Sequence, residues 1–415
     1  MGTPLLAVNS IGNPAHAAAT WATAPSAHDA GPTSAWIRLQ ARKATRARID
    51  WSVDAAFAQV TQGPEISLVK AGDFAAAVKL EGMPPGTTVH YRLVELAAPQ
   101  QATAVGRFKT APLQRQPFTF AYSACMHHDY RPFVLFDEIG KRNPDFFLHL
   151  GDTVYADQPR KQFVSPTLDF YRSKHRVSRD DEPLQRFLAQ HLSCATWDDH
   201  EIENGANRTH SHKAPALQAF HEYWPFQAAG AEGVYRQFAW AGTDFFMLDL
   251  RSFRSPQTQS DDAQKTMLGQ AQKAWLLDGL KNSQAAFKFI ISSVPFHGHS
   301  DDAWGIYGTE RDEIAGFIKS HKLRGVVFLT GDYHMAMDMS SKKTGLREFM
   351  AGPIAQRANY AKNPDNRARN DKHGRFHFGD GNTFGLVRVD AAAERAALEI
   401  VGADGGVLFS AGWSP

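Results

Sequence analysis

The sequence predicts an α/β domain preceded by a small all-β sandwich. Its 415 residues exceed what one hydrophobic core usually serves, so two domains are expected. Residues 20–112 show only short alternating apolar runs separated by turn residues. From residue 113 onward, strand patterns alternate with helix patterns. The predicted boundaries are therefore 20–112 for the sandwich and 113–415 for the α/β domain.

The β-only region contains five candidate strands with turn signals between them. They are Ala35–Leu39, Arg46–Trp51, Phe74–Leu80, Val89–Leu96 and Ala104–Thr110. The turn Met83–Thr87 contains two prolines and a glycine, which favour reversal of the chain. The segment that follows, with Tyr91 after this turn, resembles the end of a fibronectin type III or immunoglobulin-like domain.

The second region alternates apolar strand candidates with helical patterns. The strands are Phe118–Cys125, Asp145–Asp152, Leu192–Asp199, Thr243–Leu250, Phe287–Val294 and Gly325–Asp332. The helices include Arg131–Arg142, Ala214–Gln227, Thr266–Ser283 and Thr309–His321. The polar, basic stretch Lys362–Gly381 is predicted to be a loop, followed by closing strands at Thr383–Asp390 and Arg395–Phe409.

Composition excludes several classes of protein. A net charge of +2 and a pI near 8.4 give no indication of nucleic-acid binding or of a membrane surface. No apolar stretch approaches the roughly 20 residues of a transmembrane helix. Met1–Ala19 has a short apolar patch and an Ala-rich run, but no basic start, so it is not a complete signal peptide. A trimmed leader, with a periplasmic or secreted location, and a cytoplasmic protein both stay open.

Four candidate strands end in side chains that can bind a metal ion. These residues, in chain order, are Cys125, Asp152, Tyr155, Asp198, Asp199, His200, Asp332 and His334. Because the carboxyl ends of strands in α/β folds carry ligand-binding loops, we expect these side chains to meet at one edge. Such donors suit a transition metal beside a harder, oxygen-bound ion. Two ions sharing a carboxylate would clamp a phosphoryl group and activate a water molecule.

At these residues the chain resembles the PhoD subgroup of metallophosphoesterases. The motifs, in the family's order, are Gly151–Tyr155, Trp197–Asn204, Leu248–Arg254, Met267–Gln272 and Gly331–His334. The resemblance covers nearly the whole chain, including the sandwich. It implies a metallophosphoesterase-like αββα sandwich as the fold of the second domain. It also implies hydrolysis of phosphate esters, with a preference for diesters and activity on monoesters.

The resemblance implies a role for each motif residue. Ferric iron would be held by Cys125, Asp152, Tyr155 and His334. Asp152 would bridge to a second metal, calcium, which Asp199 and Asp332 would help to hold. His200 occupies the place of an imidazole near the leaving group, and Asp198 would bind an ion or orient a ligand.

Two departures from the wider metallophosphoesterase pattern bear on the second ion. Cys125 stands where an Asp-x-His pair is usual, and Ser292–Phe296 occupies the place of a usual histidine after the fifth strand. The second site therefore loses an imidazole and becomes rich in oxygen, which favours calcium over zinc.

Each residue also has an ordinary structural interpretation. A lone buried cysteine is usually a small hydrophobic residue, which is the favoured interpretation of Cys194 and the alternative for Cys125. Arg251 and Arg254 are either surface charges or guanidinium groups that bind substrate phosphate. His127 and His128, just after Cys125, are either loop residues or part of the site's mouth.

Three functional hypotheses remain open at this point. The first is metal-dependent hydrolysis of a small phosphate mono- or diester or of a phospholipid, an alkaline phosphatase or phosphodiesterase activity. The second is a cell-surface binding protein with an inactive hydrolase domain, since fibronectin-like domains commonly serve in adhesion. The third is a metallohydrolase of non-phosphate esters, because a fold does not fix a reaction.

Overall fold

The fold is seen in a computed structural model that describes residues 20–100, 105–230, 232–300, 302–358, 364–372 and 375–415. The N-terminal stretch Met1–Ala19, where a trimmed leader was left open, lies outside the described residues. No helix in the described ranges is long and apolar enough to cross a membrane.

The elements follow one another in two groups. The first group is β1 Trp21–His28, β2 Ser34–Ala41, β3 Thr45–Ser52, β4 Thr61–Gln62, β5 Ile66–Leu68, β6 Ala75–Glu81, β7 Thr88–Glu95 and β8 Val105–Lys109. The second group is β9 Phe118–Ser123, α1 Leu135–Lys141, β10 Phe146–Leu150, α2 Leu168–Arg179, α3 Glu182–Gln190, β11 Leu192–Thr196, α4 Lys213–Tyr223, β12 Arg236–Trp240, β13 Thr243–Met247, α5 Gly269–Asn282, β14 Phe287–Ile291, α6 Gly308–Ser320, β15 Val326–Thr330, β16 Ala336–Asp338, β17 Arg347–Met350, α7 Pro364–Lys372, β18 His377–Phe378, β19 Thr383–Asp390, β20 Arg395–Gly402 and β21 Val407–Trp413.

Strands β1–β8 form a sandwich of two antiparallel sheets. One sheet has the order β1-β2-β6, and the other has the order β4-β3-β7-β8 with β5 paired to β3. Ile37 and Leu39 of the first sheet and Ile49 and Tyr91 of the second are buried in the same apolar core. The expected all-β sandwich is therefore confirmed as part of the fold class.

The following domain contains two mixed sheets that pack face to face. Their strand orders are β11-β10-β9-β19-β20-β21 and β12-β13-β14-β15-β17-β16-β18. The parallel strands β11, β10 and β9 form one end of the first sheet, and β13, β14, β15 and β17 are the parallel strands at the centre of the second. Aromatic rings fill the space between them. Phe120 lies 5.2 Å from each of Phe146, Phe245 and Phe289, measured between ring centroids.

Helices cover the outer face of each sheet. Phe147, the neighbour of Phe146 on β10, points the other way and packs with Phe136 of α1 and Phe187 of α3. On the second sheet, Phe246 shares an outer core with Leu276 of α5 and Ile314 of α6. Strands that are buried on both faces have continuous apolar sequences, and the central strands of both sheets follow this pattern. The predicted αββα arrangement is confirmed.

Several element predictions need correction. The stretch Lys362–Gly381 was expected to be a loop, but its described part contains α7 and β18. The expected strand Arg395–Phe409 is a hairpin of β20 and β21. Helix α2 is absent from the predicted helices. Its buried face contains arginine, lysine and histidine side chains, held by polar partners and ring stacking, so no apolar stripe marks the helix in the sequence.

The sandwich docks on the α/β domain through buried polar side chains. Tyr91 donates its hydroxyl proton towards the carbonyl oxygens of Pro25, 3.0 Å away, and Ala189, 3.1 Å away. The Arg236 guanidinium bonds Asp29 at 2.9 Å and is almost fully buried. Arg38 stacks on the Tyr223 ring at 4.0 Å. These contacts tie the sandwich to α3, α4 and β12 of the α/β domain.

We expect Asp29→Ala to lower the free energy of unfolding by roughly 3 kcal/mol, because it leaves the buried Arg236 charge unpaired. Glu81→Ala is the matched control, since Glu81 and its partner Lys79 are both exposed. Removing that pair is expected to cost less than about 1 kcal/mol. Urea unfolding of the two variants measures the difference, and equal small losses would contradict the assigned role of this ion pair.

Candidate active site

The predicted ligand residues leave their strands in the same way. Cys125, Asp152 and Asp332 each lie two residues after the end of β9, β10 and β15, and His334 lies two residues further on. All four have positive φ, from 51° to 75°, a region that non-glycine residues rarely adopt. Such backbone strain gathers at functional sites, where surrounding structure holds it in place. The shared conformation turns all four residues out of the sheets.

Close packing of the strand ends depends on glycine. Gly151 has φ +101°, and a Cβ there would lie 2.6 Å from the Cβ of Asp198. The amide of Cys125 donates to the Gly151 carbonyl at 3.1 Å, which joins the ends of β9 and β10. The missing side chain therefore allows three ligand-bearing strand ends to approach one another.

The first candidate metal group contains Cys125, Asp152 and His334. Their ligand atoms all lie within 4.8 Å of one another. The Tyr155 hydroxyl is 2.9 Å from Nε2 of His334, so it belongs to the same cluster. All four residues of the predicted iron site are thus brought together, and their ligation stays a prediction.

Asp152 also belongs to a second group, with Asp199 and His200, again within 4.8 Å. One carboxylate shared by two groups is the arrangement expected of a bridging ligand. Asp332, expected to help Asp199 hold the second ion, belongs to a third group with Asp198 and Asp302, and its ligation stays a prediction. The predicted oxygen-rich site is therefore spread over two adjoining acidic groups.

Burial makes ionisation of the acidic groups in this cluster unfavourable. Burial raises the pKa of the Cys125 thiol and of the Asp152 and Asp332 carboxyl groups well above their usual values. Repulsion from neighbouring carboxylates adds to the rise in each case. A bound cation would relieve both effects, since an opposite charge favours the ionised form. The donors present therefore fit metal ions.

Asp198 is held on one side only. Its Oδ1 accepts hydrogen bonds from Nε of Arg251 at 2.6 Å and from the Ser293 hydroxyl at 2.7 Å. Its Oδ2 is buried without a hydrogen-bond partner among the described residues. A buried acceptor with no donor is costly unless it meets a cation. This oxygen is the clearest single atom in the site that suits a metal.

Arg251 and Arg254 are buried and paired with carboxylates; they are not exposed surface charges. Both side chains are fully buried, and both pair with Asp302, at 2.5 Å and 2.9 Å. Nε of Arg254 also donates to the Tyr307 hydroxyl, and Gln257 donates to Asp302. Burial alone would raise the pKa of Asp302, but the two guanidinium groups outweigh it and hold the pKa below its usual value. Their contact with substrate stays a prediction; in the structure they neutralise acids.

His200 is oriented by a carboxylate that the sequence did not reveal. Its Nδ1 lies 2.7 Å from Oδ1 of the buried Asp157, and its ring stacks on Tyr155 at 4.1 Å. Burial lowers the pKa of His200, but the carboxylates of Asp199, Asp152 and Asp157 raise it more, and the net shift is upward. With Nδ1–H donated to Asp157, Nε2 is left for a proton transfer or for a metal.

Glu201 fixes the backbone of two ligand loops. Its carboxylate accepts hydrogen bonds from the amides of Asp152 at 3.1 Å and Asp198 at 2.9 Å. It also accepts from the amide and the hydroxyl of Thr153. Burial raises the pKa of Glu201 to about 7 despite these bonds. One carboxylate thus connects the loops after β10 and β11.

Sequence reasoning missed Asp157, Glu201 and Asp302. Asp157 lies two residues after Tyr155, and Glu201 directly follows His200, so both lay inside or beside motifs already chosen. Their position next to these motifs is the sequence signal that could have identified both residues. Asp302 comes from the loop before α6, and nothing in its local sequence points to Arg251.

Comparison with known proteins agrees with this geometry. A model described as PhoD-like phosphatase matches residues 120–400, and one described as its N-terminal domain matches residues 16–112. Alkaline phosphatase D from Bacillus subtilis is 28% identical in an alignment of length 356, and 71% of this chain is covered. The chain spans about 60% of the length of that relative.

Two solved structures share the fold. The structure of PhoD superposes with a TM-score of 0.81 at 21% identity, covering 95% of this chain and 89% of that one. A purple acid phosphatase, PPD1 from yellow lupin (Lupinus luteus) seeds, gives a TM-score of 0.65 at 11% identity, covering 94% and 74%.

Fold and site together define a protein of the αββα class with an N-terminal β-sandwich and a cluster of candidate metal ligands at its strand ends. Within that class, the chain belongs to the PhoD-like phosphatase family. The resemblance read from the sequence motifs is confirmed.

We expect Glu201→Gln to weaken metal binding by about 10- to 100-fold, because an amide cannot accept the same four hydrogen bonds. Glu203→Gln, two residues further along the same loop, is the matched control, because the Glu203 carboxylate lies near Arg160 and His210. Metal retained after dialysis against a chelator, measured by elemental analysis, reports the effect. Equal retention in both variants would show that Glu201 does not support the ligands.

Proposed function

We propose that the chain is a metal-dependent hydrolase of phosphate esters, an alkaline phosphatase or phosphodiesterase. The observation that carries the proposal is the convergence of Cys125, Tyr155 and His334 on Asp152, which is shared with a second group of ligands. The proposal places the catalytic domain at residues 113–415 and a non-catalytic sandwich at 20–112. Membership of the PhoD-like phosphatase family supports it.

The donor types support ferric iron in the first group. A thiolate, a phenolate and an imidazole suit a transition metal, and Asp152 supplies the shared carboxylate. Calcium is proposed for the adjoining site, where Asp199, Asp198 and Asp332 offer carboxylate oxygens. The unpaired Oδ2 of Asp198 supports a cation on that side.

The chemistry follows from where the groups lie. Bound ions would supply charge neutralisation for phosphoryl oxygens and activation of water. His200 would then give a proton from Nε2 to the departing alkoxide, since Asp157 holds its Nδ1. Arg251 balances Asp198 and Asp302, so the acids beside the substrate keep their positions.

The substrate in this proposal is a small phosphate mono- or diester or a phospholipid, and the location is periplasmic or secreted. A panel of phosphate monoesters, phosphate diesters, phospholipids and carboxyl esters tests the reaction class. The proposal requires hydrolysis of phosphate esters that is lost when metals are removed. Hydrolysis of carboxyl esters alone would favour a different metallohydrolase, and no hydrolysis with metals bound would favour a binding protein.

Cys125→Ala is expected to lower bound iron and phosphodiesterase activity together, because it removes the thiolate of the first group. The control is Cys194→Ala, since Cys194 is also free and buried but lies within β11, away from the cluster. Iron content per chain and turnover of a nitrophenyl diester are the measurements. Full iron and full activity in the Cys125 variant would remove this cysteine from the site.

His200→Ala should affect substrates unequally. General acid help is worth about 10²- to 10⁴-fold and matters most for a poor leaving group. The variant should therefore lose much more activity on alkyl diesters than on nitrophenyl diesters, with metals retained. Asp157→Asn should show the same pattern more weakly, because it misorients the ring without removing it. Equal losses on both substrates, or loss of metal, would mean that His200 binds phosphate or a metal instead.

A further inference from the structure

Part of the ligand cluster reaches the protein surface. His200, Asp332 and His334 are partly exposed, whereas Cys125 and Tyr155 are buried. These three partly exposed side chains are the mouth of the site. A phosphate ester is an anion and has to enter here, so a cation beside the mouth would attract it and hold it.

The two arginines predicted from the sequence are poorly placed for such a contact. Arg251 and Arg254 are fully buried, and Asp302 pairs with both guanidinium groups. Binding a phosphate there would require buried ion pairs to break, which costs free energy. A cation that is exposed and lacks a carboxylate partner would bind the same anion without this cost.

The chain after β17 runs along the first candidate metal group. The amide of Ala355 donates to the Cys125 carbonyl at 3.2 Å, and the Ala355 carbonyl accepts from the His127 amide at 2.8 Å. Ala355 also forms a parallel β-bridge with Met126. Residue 355 is therefore fixed against the loop that follows β9, and the next two residues lie beside the same cluster.

Gln356 joins this segment to a predicted iron ligand. Its Oε1 accepts a hydrogen bond from the Arg357 amide at 2.7 Å. Burial raises the pKa of the Tyr155 hydroxyl, and a hydrogen bond from the Gln356 side chain opposes that rise. The ring of His334 lies within hydrogen-bonding reach of the Arg357 backbone. The main chain of Arg357 is therefore held next to the mouth.

The side chain of Arg357 is exposed, and no carboxylate pairs with its guanidinium among the described residues. Arginine carries a planar fork of N–H donors on a long stem, and this fork matches two oxygens of one phosphate. From a backbone position beside His334, the stem is long enough to reach over the mouth. No existing ion pair has to break when this guanidinium binds an anion.

We propose that Arg357 is a substrate-binding residue whose guanidinium contacts non-bridging oxygens of the phosphate ester. The inference rests on the proposed function. Bound ions would neutralise the phosphate oxygens nearest to them, and the guanidinium would neutralise charge on the side that faces solvent. Because this contact exists before the reaction starts, its loss should raise KM more than it lowers kcat.

The test compares the full chain, as purified with its metals, in four forms. They are the natural sequence, Arg357→Ala, Arg357→Lys and Lys342→Ala. Lys342 is the matched control, because it is exposed and lies in the turn before β17, whereas Arg357 follows that strand. Kinetics on a nitrophenyl phosphate monoester and diester give KM and kcat. Calorimetry gives the affinity for inorganic phosphate, and elemental analysis gives the metal content.

Arg357→Ala should raise KM and weaken phosphate binding by about tenfold or more, the usual effect of losing a hydrogen bond to a charged group. Its metal content should equal that of the natural chain. Arg357→Lys should recover part of both losses, because lysine keeps the charge but not the fork. Lys342→Ala should match the natural chain, and added salt should reduce the difference between the natural chain and Arg357→Ala.

Unchanged KM and phosphate affinity in Arg357→Ala would overturn the proposal. Loss of metal in that variant would also overturn it, because the segment would then support His334 instead. An equal loss in Lys342→Ala would do the same, since it would show only diffuse attraction. If the natural chain binds phosphate but hydrolyses no phosphate ester, the proposed function fails, and the phosphate affinities of the four forms still decide the role of Arg357. A metal-loaded natural chain that binds no phosphate would overturn both.

Discussion

The structure depends on the burial of several carboxylates in one place. Asp152 and Asp198 are nearly inaccessible to solvent, Asp332 is partly buried, and Arg251 directly bonds Asp198. Burying unpaired charge costs several kcal/mol per group, so this arrangement is unfavourable without further positive charge. Bound metal ions would supply that charge and would help to stabilise the site. The same excess of acidic groups that destabilises the protein without bound ions makes the site a strong set of ligands.

Bringing these groups together requires strained backbone conformations. Cys125, Asp152, Asp332 and His334 all adopt left-handed conformations, which strands on two packed sheets can hold because both faces are buried. Glu201 joins two of the ligand loops through four hydrogen bonds. The aromatic core between the sheets fixes the spacing of the strand ends. Site geometry thus follows from sheet packing and not from the loops alone.

The fold class could be predicted because its signals are local and repeated. Apolar runs such as Phe146–Leu150 and the glycines beside the ligands appear directly in the sequence. The predicted ligands also converge, because the ends of β9, β10 and β11 share one edge of the first sheet and the end of β15 in the second sheet meets them there. The partners of Arg251 could not be predicted, because Asp302 reaches it from a distant loop. Helix α2 was missed for a related reason: its polar side chains are buried by tertiary partners that no local period reveals.

The proposed function requires a transition metal on Asp152 and a second ion that shares this carboxylate. Crystals of the protein as purified, with anomalous diffraction measured on both sides of the iron edge, test this most directly. We expect an iron peak within bonding distance of Cys125, Asp152, Tyr155 and His334. We also expect a second ion on the opposite oxygen of Asp152. An active protein whose crystals show no anomalous scatterer at these four side chains would contradict it.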